Sequence, residues 1–555
     1  MSSYVATVRT VRTPPAWMVA TALALLWLAV APRTPDLAAQ VYRTTLYARE
    51  GFEVWDDFWF AGHHLPAYSL LYPPLGALIG ARTVGVLAAV ASTILFDRLT
   101  RSHFGAERAR WATLWFAVAS VADLWIGRLT FSLGITIGLG ALLALQRGRP
   151  RLAVALAVLC GVGSPVAAAF LGLAGAAIAL THAAGRRAAL AVTGASLGAV
   201  AVLAVAFPEG GRQPMSPGAT LAIVLCCAAL LLALPERERA LRVGTLLYLG
   251  VSVAMFALST PMGSNVARLG ATFGGPLLAL AIAGAPRLHR PSRLVLGGLA
   301  AFLVGWQWYG PAREVSISVG EPSTQAAYFA PLKSFLAGRG GPPGRLEVPF
   351  TRSHWESVHL AGGKGAVPLA RGWNTQLDHR YNGLFFKPGL AAAEYHRWLR
   401  RNAVRHVAVP DVALDPGGRA EARLIAGGLE FLEPVWRNAN WRVYAVRDPL
   451  PLVSGPGELL AFGRDGFTVA AERRGWILVR THFSPYFAST GTPACLSAAP
   501  GDWTRVYALA PGTVRVQARF APSRVARSGV RCTRTARPLA KGAGRGPATR
   551  GDSSL

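Results

Sequence analysis

Between residues 16 and 309 the chain offers one apolar run after another, separated by short turns rich in arginine. A helix of roughly 20 apolar residues spans a bilayer, because hydrocarbon offers backbone donors and acceptors no water. The runs are 16–32, 75–97, 111–126, 131–145, 152–180, 188–206, 218–234, 243–258, one that reaches the turn 287–293, and 294–309. Cytoplasmic turns collect arginine and lysine. The turns holding Arg98, Arg101, Arg108 and Arg110, then Arg147, Arg149 and Arg151, then Arg186 and Arg187, and the segments 235–242 and 287–293, therefore lie inside. The run 152–180 has basic turns at both ends and must cross an even number of times. Its Gly163-Ser164-Pro165 break fits two short helices meeting outside or a re-entrant hairpin. The sum is a polytopic α-helical membrane protein with about eleven transmembrane helices, the N-terminus cytoplasmic and the C-terminus outside. The first run is slightly short and also reads as a cleavable signal; the runs that follow favour a membrane helix.

Composition agrees. Of 555 residues, 52% are hydrophobic and 15% charged, which is too apolar for a soluble protein of this size. The net charge of +29 comes almost entirely from arginine, since only four lysines occur. Nucleic-acid binding is one reading of such a balance. Positive-inside turns, attraction to anionic lipid and a bias toward Ala, Gly and Arg explain it better, so no nucleic-acid partner is expected. Five cysteines form no CxxC pair, which argues against a zinc site. Cys160, Cys226 and Cys227 lie in apolar runs and read as packing residues. Cys495 and Cys532 can pair if their domain is extracytoplasmic.

From about residue 310 the character changes. RLEVPF (345–350) and VRHVAVP (404–410) read as strands, and 324–338 and 391–401 as amphipathic helices. After about 450 come short alternating strands in GWILVRTHFS, WTRVYAL and GTVRVQARF. The expected domains are a transmembrane unit (1–309), an extracytoplasmic α/β domain (310–450), a β-rich subdomain (451–522) and a disordered basic tail (523–555).

The chemistry-bearing stretch is 51–76, GFEVWDDFWFAGHHLPAYSLLYPPLG. It holds Glu53, Asp56, Asp57, His63 and His64 among aromatics that favour the headgroup level. Carboxylates there bind a metal or accept a proton, or simply face water in an interfacial loop. The topology gathers Arg128, Glu209, Arg212, Asn265 and Arg268 on the same face, where arginines also serve as snorkelling anchors. The histidine pair also suits local hydrogen bonds. No Walker loop, GxSxG elbow or HExxH motif occurs, and no duplication supports a symmetric transporter.

WDDFWFAGHHLPAYSLLYPPLG after a first helix, with GRLTFSLG (127–134), SPVAAAF (164–170), FPEGGRQPMSP (207–217), PMGSNVARLG (261–270) and LARGWNTQLDHRYNGLFF (369–386), resembles GT-C-type membrane glycosyltransferases. It looks closest to their actinobacterial-type members. The resemblance covers most of residues 10–515 and implies a GT-C-like core. It implies an acid in the first outer loop as catalytic base or metal ligand, a role that falls by position on Asp56 or Asp57. These acids stand further beyond the first helix than that pattern suggests. It also implies a polyprenyl-phosphate sugar donor and an extracytoplasmic glycan, lipid or protein acceptor. Magnesium or manganese is the cation such a site would take. Glu53, His63, His64, Arg128, Glu209, Arg212, Asn265 and Arg268 are then the candidate substrate-binding residues. At least two guanidinium groups are expected within about 10 Å of Asp56 or Asp57, roughly one Debye length at 0.1 M salt. A transporter or lipid-linked-sugar flippase is the first alternative, and a non-catalytic cell-envelope assembly protein the second.

Overall fold

The computed structural model describes residues 14–284, 290–527 and 529–533. Its first part is a helical bundle: α1 (Ala16–Val30), α2 (Pro35–Glu50), α3 (Tyr72–Ile79), α4 (Ala81–Phe104), α5 (Ala106–Ile126), α6 (Leu129–Gln146), α7 (Pro150–Gly163), α8 (Pro165–Thr181), α9 (Arg186–Ala206), α10 (Pro217–Ala233), α11 (Arg239–Ala257), α12 (Ala267–Gly284) and α13 (Arg290–Ser318). Every run expected to cross is helical. Among the described residues, length and apolarity single out five that can cross, or six if α1 and α2, bent by 82° at their junction, are one span; α7, α8 and α10 are apolar but shorter. Length and apolarity alone do not establish the expected eleven crossings. Leucines and valines such as Leu87, Leu180, Val202 and Leu232 are exposed on these helices, as a lipid-facing surface requires. Small residues let the helices close up. A Cβ on Gly134 would meet the side chains of Ser164 and Ala167 at 2.4 and 2.6 Å.

Two expectations for this part need correction. No helix is expected between the runs 16–32 and 75–97, but Pro35–Glu50 is the helix α2. Thr34 precedes it, Pro35 occupies its first turn and Asp36 faces the positive end of its dipole. The run 75–97 divides at Gly80, whose φ of +90° ends α3 before α4 begins. The Ser164-Pro165 break does separate two short helices. Ser164 caps α8, and the turn accepts bonds from Leu70 N–H onto Val162 O (2.9 Å) and from Ser69 Oγ onto Gly163 O (2.7 Å).

The second part begins beyond α13, which runs past the expected boundary at 309. It contains α14 (Ala326–Ala337), β1 (Arg345–Glu347), α15 (Glu356–His359), α16 (Thr375–Tyr381), α17 (Ala392–Arg401), β2 (Val404–Pro410), α18 (Pro416–Ala426), β3 (Leu432–Arg437) and β4 (Trp441–Val446). Its sheet has the order β1-β2-β4-β3, with β1 parallel to β2 and the other pairs antiparallel.

Two further sheets follow. They are built from β5 (Val453–Ser454), β6 (Gly457–Phe462), β7 (Gly466–Ala471), β8 (Gly475–His482), β9 (Phe487–Gly491), β10 (Ala494–Ala498), β11 (Trp503–Ala508), β12 (Gly512–Ala518) and β13 (Arg531–Thr533), in the orders β13-β10-β11-β8-β5 and β6-β7-β12-β9. Val469, Ile477, Val479, Leu496, Val506, Val514 and Val516 form one fully buried core, the alternation expected of a β-sandwich. Strand β13 lies past the expected end of this unit at 522. Its Cys532 faces Cys495 across β10 and is bonded to it. The rest of the expected tail, 534–555, lies outside the described residues.

Candidate functional site

Residues 51–64 form the junction of all three units. Asp56 and His63 exchange backbone hydrogen bonds (3.0 and 3.2 Å), closing a tight loop in which Phe60, Ala61 and Gly62 all take positive φ. Gly62 has no alternative, because a Cβ there would overlap the Trp55 ring at 2.2 Å. The loop is tied outward at every step. Leu369 N–H donates to Phe58 O (2.9 Å), Asp57 N–H to Arg464 O (2.7 Å), His482 N–H to Ala61 O (2.7 Å) and Trp59 Nε1 to Ser357 O (3.3 Å).

The acids of this loop are enclosed. Asp56 is fully buried and accepts from Tyr42 Oη (2.6 Å), Phe58 N–H (3.1 Å) and Arg464 Nη1 (3.4 Å). Asp57, also fully buried, accepts from Trp55 Nε1 (3.0 Å) and Thr481 Oγ1, while its Oδ2 has no partner. Burial pushes its carboxyl up to about 7, against the pull of the Thr481 and Trp55 bonds and the Arg345 charge. Glu53, half-buried, is also raised to about 7, by burial first and then by Asp465, Glu50 and Asp56. His63 stacks on Trp59, and burial holds it below its usual range. His64 Nδ1 meets Glu209 Oε1 at 2.9 Å, and its Nε2 meets Ser484 Oγ at 3.2 Å. Burial raises the Glu209 carboxyl, but the bonds and charge of His64 outweigh it and the group stays below the usual range.

The other candidates lie elsewhere. Arg212 is exposed on the loop after α9. That loop docks on the turn before α12 through Gln213 N–H to Thr260 O (2.9 Å), and onto α16 through Arg380 to Glu209 O. Asn265 is buried in the turn Gly263–Val266. Arg128 and Arg268 do come together, but around two other acids, Asp36 and Asp123. Arg128 lies between them, 3.6 Å from Asp36 Oδ2 and 3.9 Å from Asp123 Oδ1. Thr272 Oγ1 donates to Asp123 Oδ2 (3.2 Å), and Arg268 covers the Phe131 ring at 5.5 Å. Neither Arg128 Nε nor Arg268 Nε has a hydrogen-bond partner.

This cluster sits where the bundle meets the α/β domain. Trp373 Nε1 donates to Pro35 O (2.9 Å) while its ring stacks 3.5 Å from His354, forming a roof over the start of α2. Gln40, one turn beyond Asp36, donates to Tyr68 Oη (2.7 Å) and accepts from Thr130 (2.6 Å). The side chain of Asp36 is 37% exposed and that of Arg128 27%, so the cluster is open where the Asp56 and Asp57 pair is closed. Two sequence signals pointed here. Asp123 is an acid in an apolar run, and Asp36 follows directly on the first such run.

Among the described residues, no group of three or more His, Cys, Asp or Glu side chains is placed to hold a metal ion. Asp56 and Asp57 fit a divalent cation poorly, because Tyr42, the Phe58 N–H and Arg464 already occupy the Asp56 oxygens. In the open cluster, guanidinium groups supply the positive charge.

The molecule thus belongs to the class of helical integral membrane proteins with an α/β unit and a β-sandwich on one face of the bundle. No family model matches the chain, and no curated protein matches it. Among solved structures it is similar to the arabinofuranosyltransferase AftD from Mycobacteria, at 15% identity in both forms compared. The R1389S mutant gives a TM-score of 0.45 and the other form 0.42, each over 92% of this chain. This chain spans 60% and 57% of those two chains. It is also similar to ArnT from Cupriavidus metallidurans bound to undecaprenyl phosphate, at 14% identity and a TM-score of 0.45, over 78% of this chain and 98% of that one.

Proposed function

We propose that the chain is a GT-C-type membrane glycosyltransferase that moves a sugar from a polyprenyl-phosphate donor to an extracytoplasmic glycan, lipid or protein. The observation that carries this reading is the open acid–arginine cluster at the domain-bearing rim of the bundle. Arg268, whose buried Nε has no hydrogen-bond partner, and Arg128, whose Nε lies 3.6 Å from Asp36, suit a phosphate that stays at the membrane surface. Asp36 is the carboxylate beside them with access to a second substrate.

In the reaction, Asp36 takes the proton of the acceptor hydroxyl, whose oxygen attacks the anomeric carbon. The bond from that carbon to the phosphate oxygen breaks, and the polyprenyl phosphate leaves with the electron pair, its charge met by Arg128 and Arg268. Asp123, held by Thr272, positions Arg128. A second reading makes Asp57 the base, favoured by its unpartnered Oδ2 and raised carboxyl; it requires the β-sandwich to open.

The test uses purified protein in lipid nanodiscs with polyprenyl-phosphate sugars, following release of polyprenyl phosphate. Asp36→Asn should lower turnover roughly 100- to 10,000-fold. Arg128→Lys should weaken binding of undecaprenyl phosphate, because the charge remains but the fork is lost. Full turnover by Asp36→Asn would remove this site from the reaction.

A further inference from the structure

Helix α2 has two working sides. Asp36, Gln40 and Arg43 recur at helical spacing toward the cluster described above, while Tyr42, Leu46 and Arg49 recur toward a separate cavity of about 400 Å³. The other walls of that cavity come from Ala330 and Lys333 of α14 and from Val358, His359, Gly362 and Gly363. Leu46, Ala330 and Val358 give it an apolar floor.

The charges around the cavity do not cancel. Arg464 also reaches it but is committed to Tyr42 Oη (2.7 Å) and Asp56. Among the described residues, Arg49 and Lys333 form no ion pair, and the one acid on the wall is Glu50. Lys333 Nζ donates to Lys364 O (2.9 Å), which fixes the amine without neutralising it. The two cations are close enough to interact. Lys333 is held below its ordinary range by burial first and by the Arg49 charge second. Gly363, at φ +78°, lets the guanidinium lie against the backbone, since a Cβ there would come within 3.1 Å of Arg49 Nη1.

Two unpaired like charges beside an apolar floor are unfavourable when empty and favourable with an anion between them. We infer that this cavity is a second binding site, for a sugar-sized ligand bearing one phosphate or carboxylate, its anion between Arg49 and Lys333 and its ring over Leu46 and Ala330. The inference does not depend on the transfer reaction.

The full-length protein in nanodiscs, titrated calorimetrically, tests it with glucose 1-phosphate, glucuronate, inorganic phosphate and glucose. Saturable binding of glucose 1-phosphate or glucuronate is expected, and whichever binds identifies the source of the anion. Glucose should bind at least 10-fold more weakly. Arg49→Gln with Lys333→Gln should reduce affinity at least 10-fold, and Ala330→Trp, at an exposed position, should block the floor without altering charge. Asp36→Asn should leave this binding unchanged. The inference is overturned if neither charged sugar binds, if inorganic phosphate or glucose binds as tightly as the charged sugars, or if both sets of cavity substitutions leave affinity intact.

Discussion

At the scale of single residues, two kinds of acid separate. Asp36 is open and faces arginine; Asp57 is enclosed and lacks a partner on one oxygen. The difference has a pH signature. The folded carboxyl of Asp57 titrates at about 7, above its ordinary 3.8. A raised carboxyl stabilises the fold fully below the unfolded value, and the contribution is lost as pH rises through the folded one. The full difference is on the order of 4 kcal/mol. Wild-type protein should therefore lose thermal stability between pH 4 and pH 7 relative to Asp57→Asn, whose side chain carries no charge at either end of that window. Parallel melting curves across the window would check this, and curves that stay parallel would show that Asp57 is not protonated in the fold. The doublet Asp56-Asp57 was conspicuous in the sequence, but hydrogen bonding to Tyr42, Arg464 and Thr481, up to 424 positions away, is a tertiary property. Local pattern has no access to it.

At the scale of elements, helices and strands with clear periodicity were legible. The strand VRHVAVP is β2 at its expected bounds, and the segment 391–401 is α17 within one residue. Helix α2 was not legible, because its buried residues include Gln40, Arg43 and Thr44, which mask an apolar face. The motif 369–386 turns out to be architecture. Arg371 is buried between the Phe350 and Phe385 rings at 3.8 and 4.1 Å, and forks onto Asp378 with bonds of 3.0 and 2.6 Å. Glu347 and Glu421 lie 3.8 and 3.6 Å from the same guanidinium. One cation cannot hold three charged acids, and burial keeps Glu347 well above the ordinary carboxylate range. Arg371→Met should leave the acids unpaired and destabilise the α/β domain by about 3–5 kcal/mol. Denaturant unfolding followed by tryptophan fluorescence reads this, and the loss should shrink toward acidic pH, where protonated acids need no counter-charge.

At the scale of the whole molecule, alternate turns of the bundle collect on two faces. One face carries the junction 51–64 and both C-terminal units. On the other, Gln146 bonds Leu99 O (3.2 Å), His103 meets Glu238 (3.4 Å) and Arg237 reaches Gly284 O (3.5 Å), which gathers the arginine-rich turns. Arginine-rich short turns stay in the cytoplasm, so the opposite face, with its disulfide between Cys495 and Cys532, is expected outside, where disulfides persist. The arrangement can be tested with little background, because Cys160, Cys226 and Cys227 are buried and the other two cysteines are bonded to each other. Cysteine introduced at exposed Arg473, between β7 and β8, should react with a membrane-impermeant thiol reagent on intact cells. Cysteine at exposed Arg149, between α6 and α7, should react only after permeabilisation. The reverse pattern would invert the protein in the membrane. It would place the acid–arginine cluster on the cytoplasmic side and exclude an extracytoplasmic acceptor.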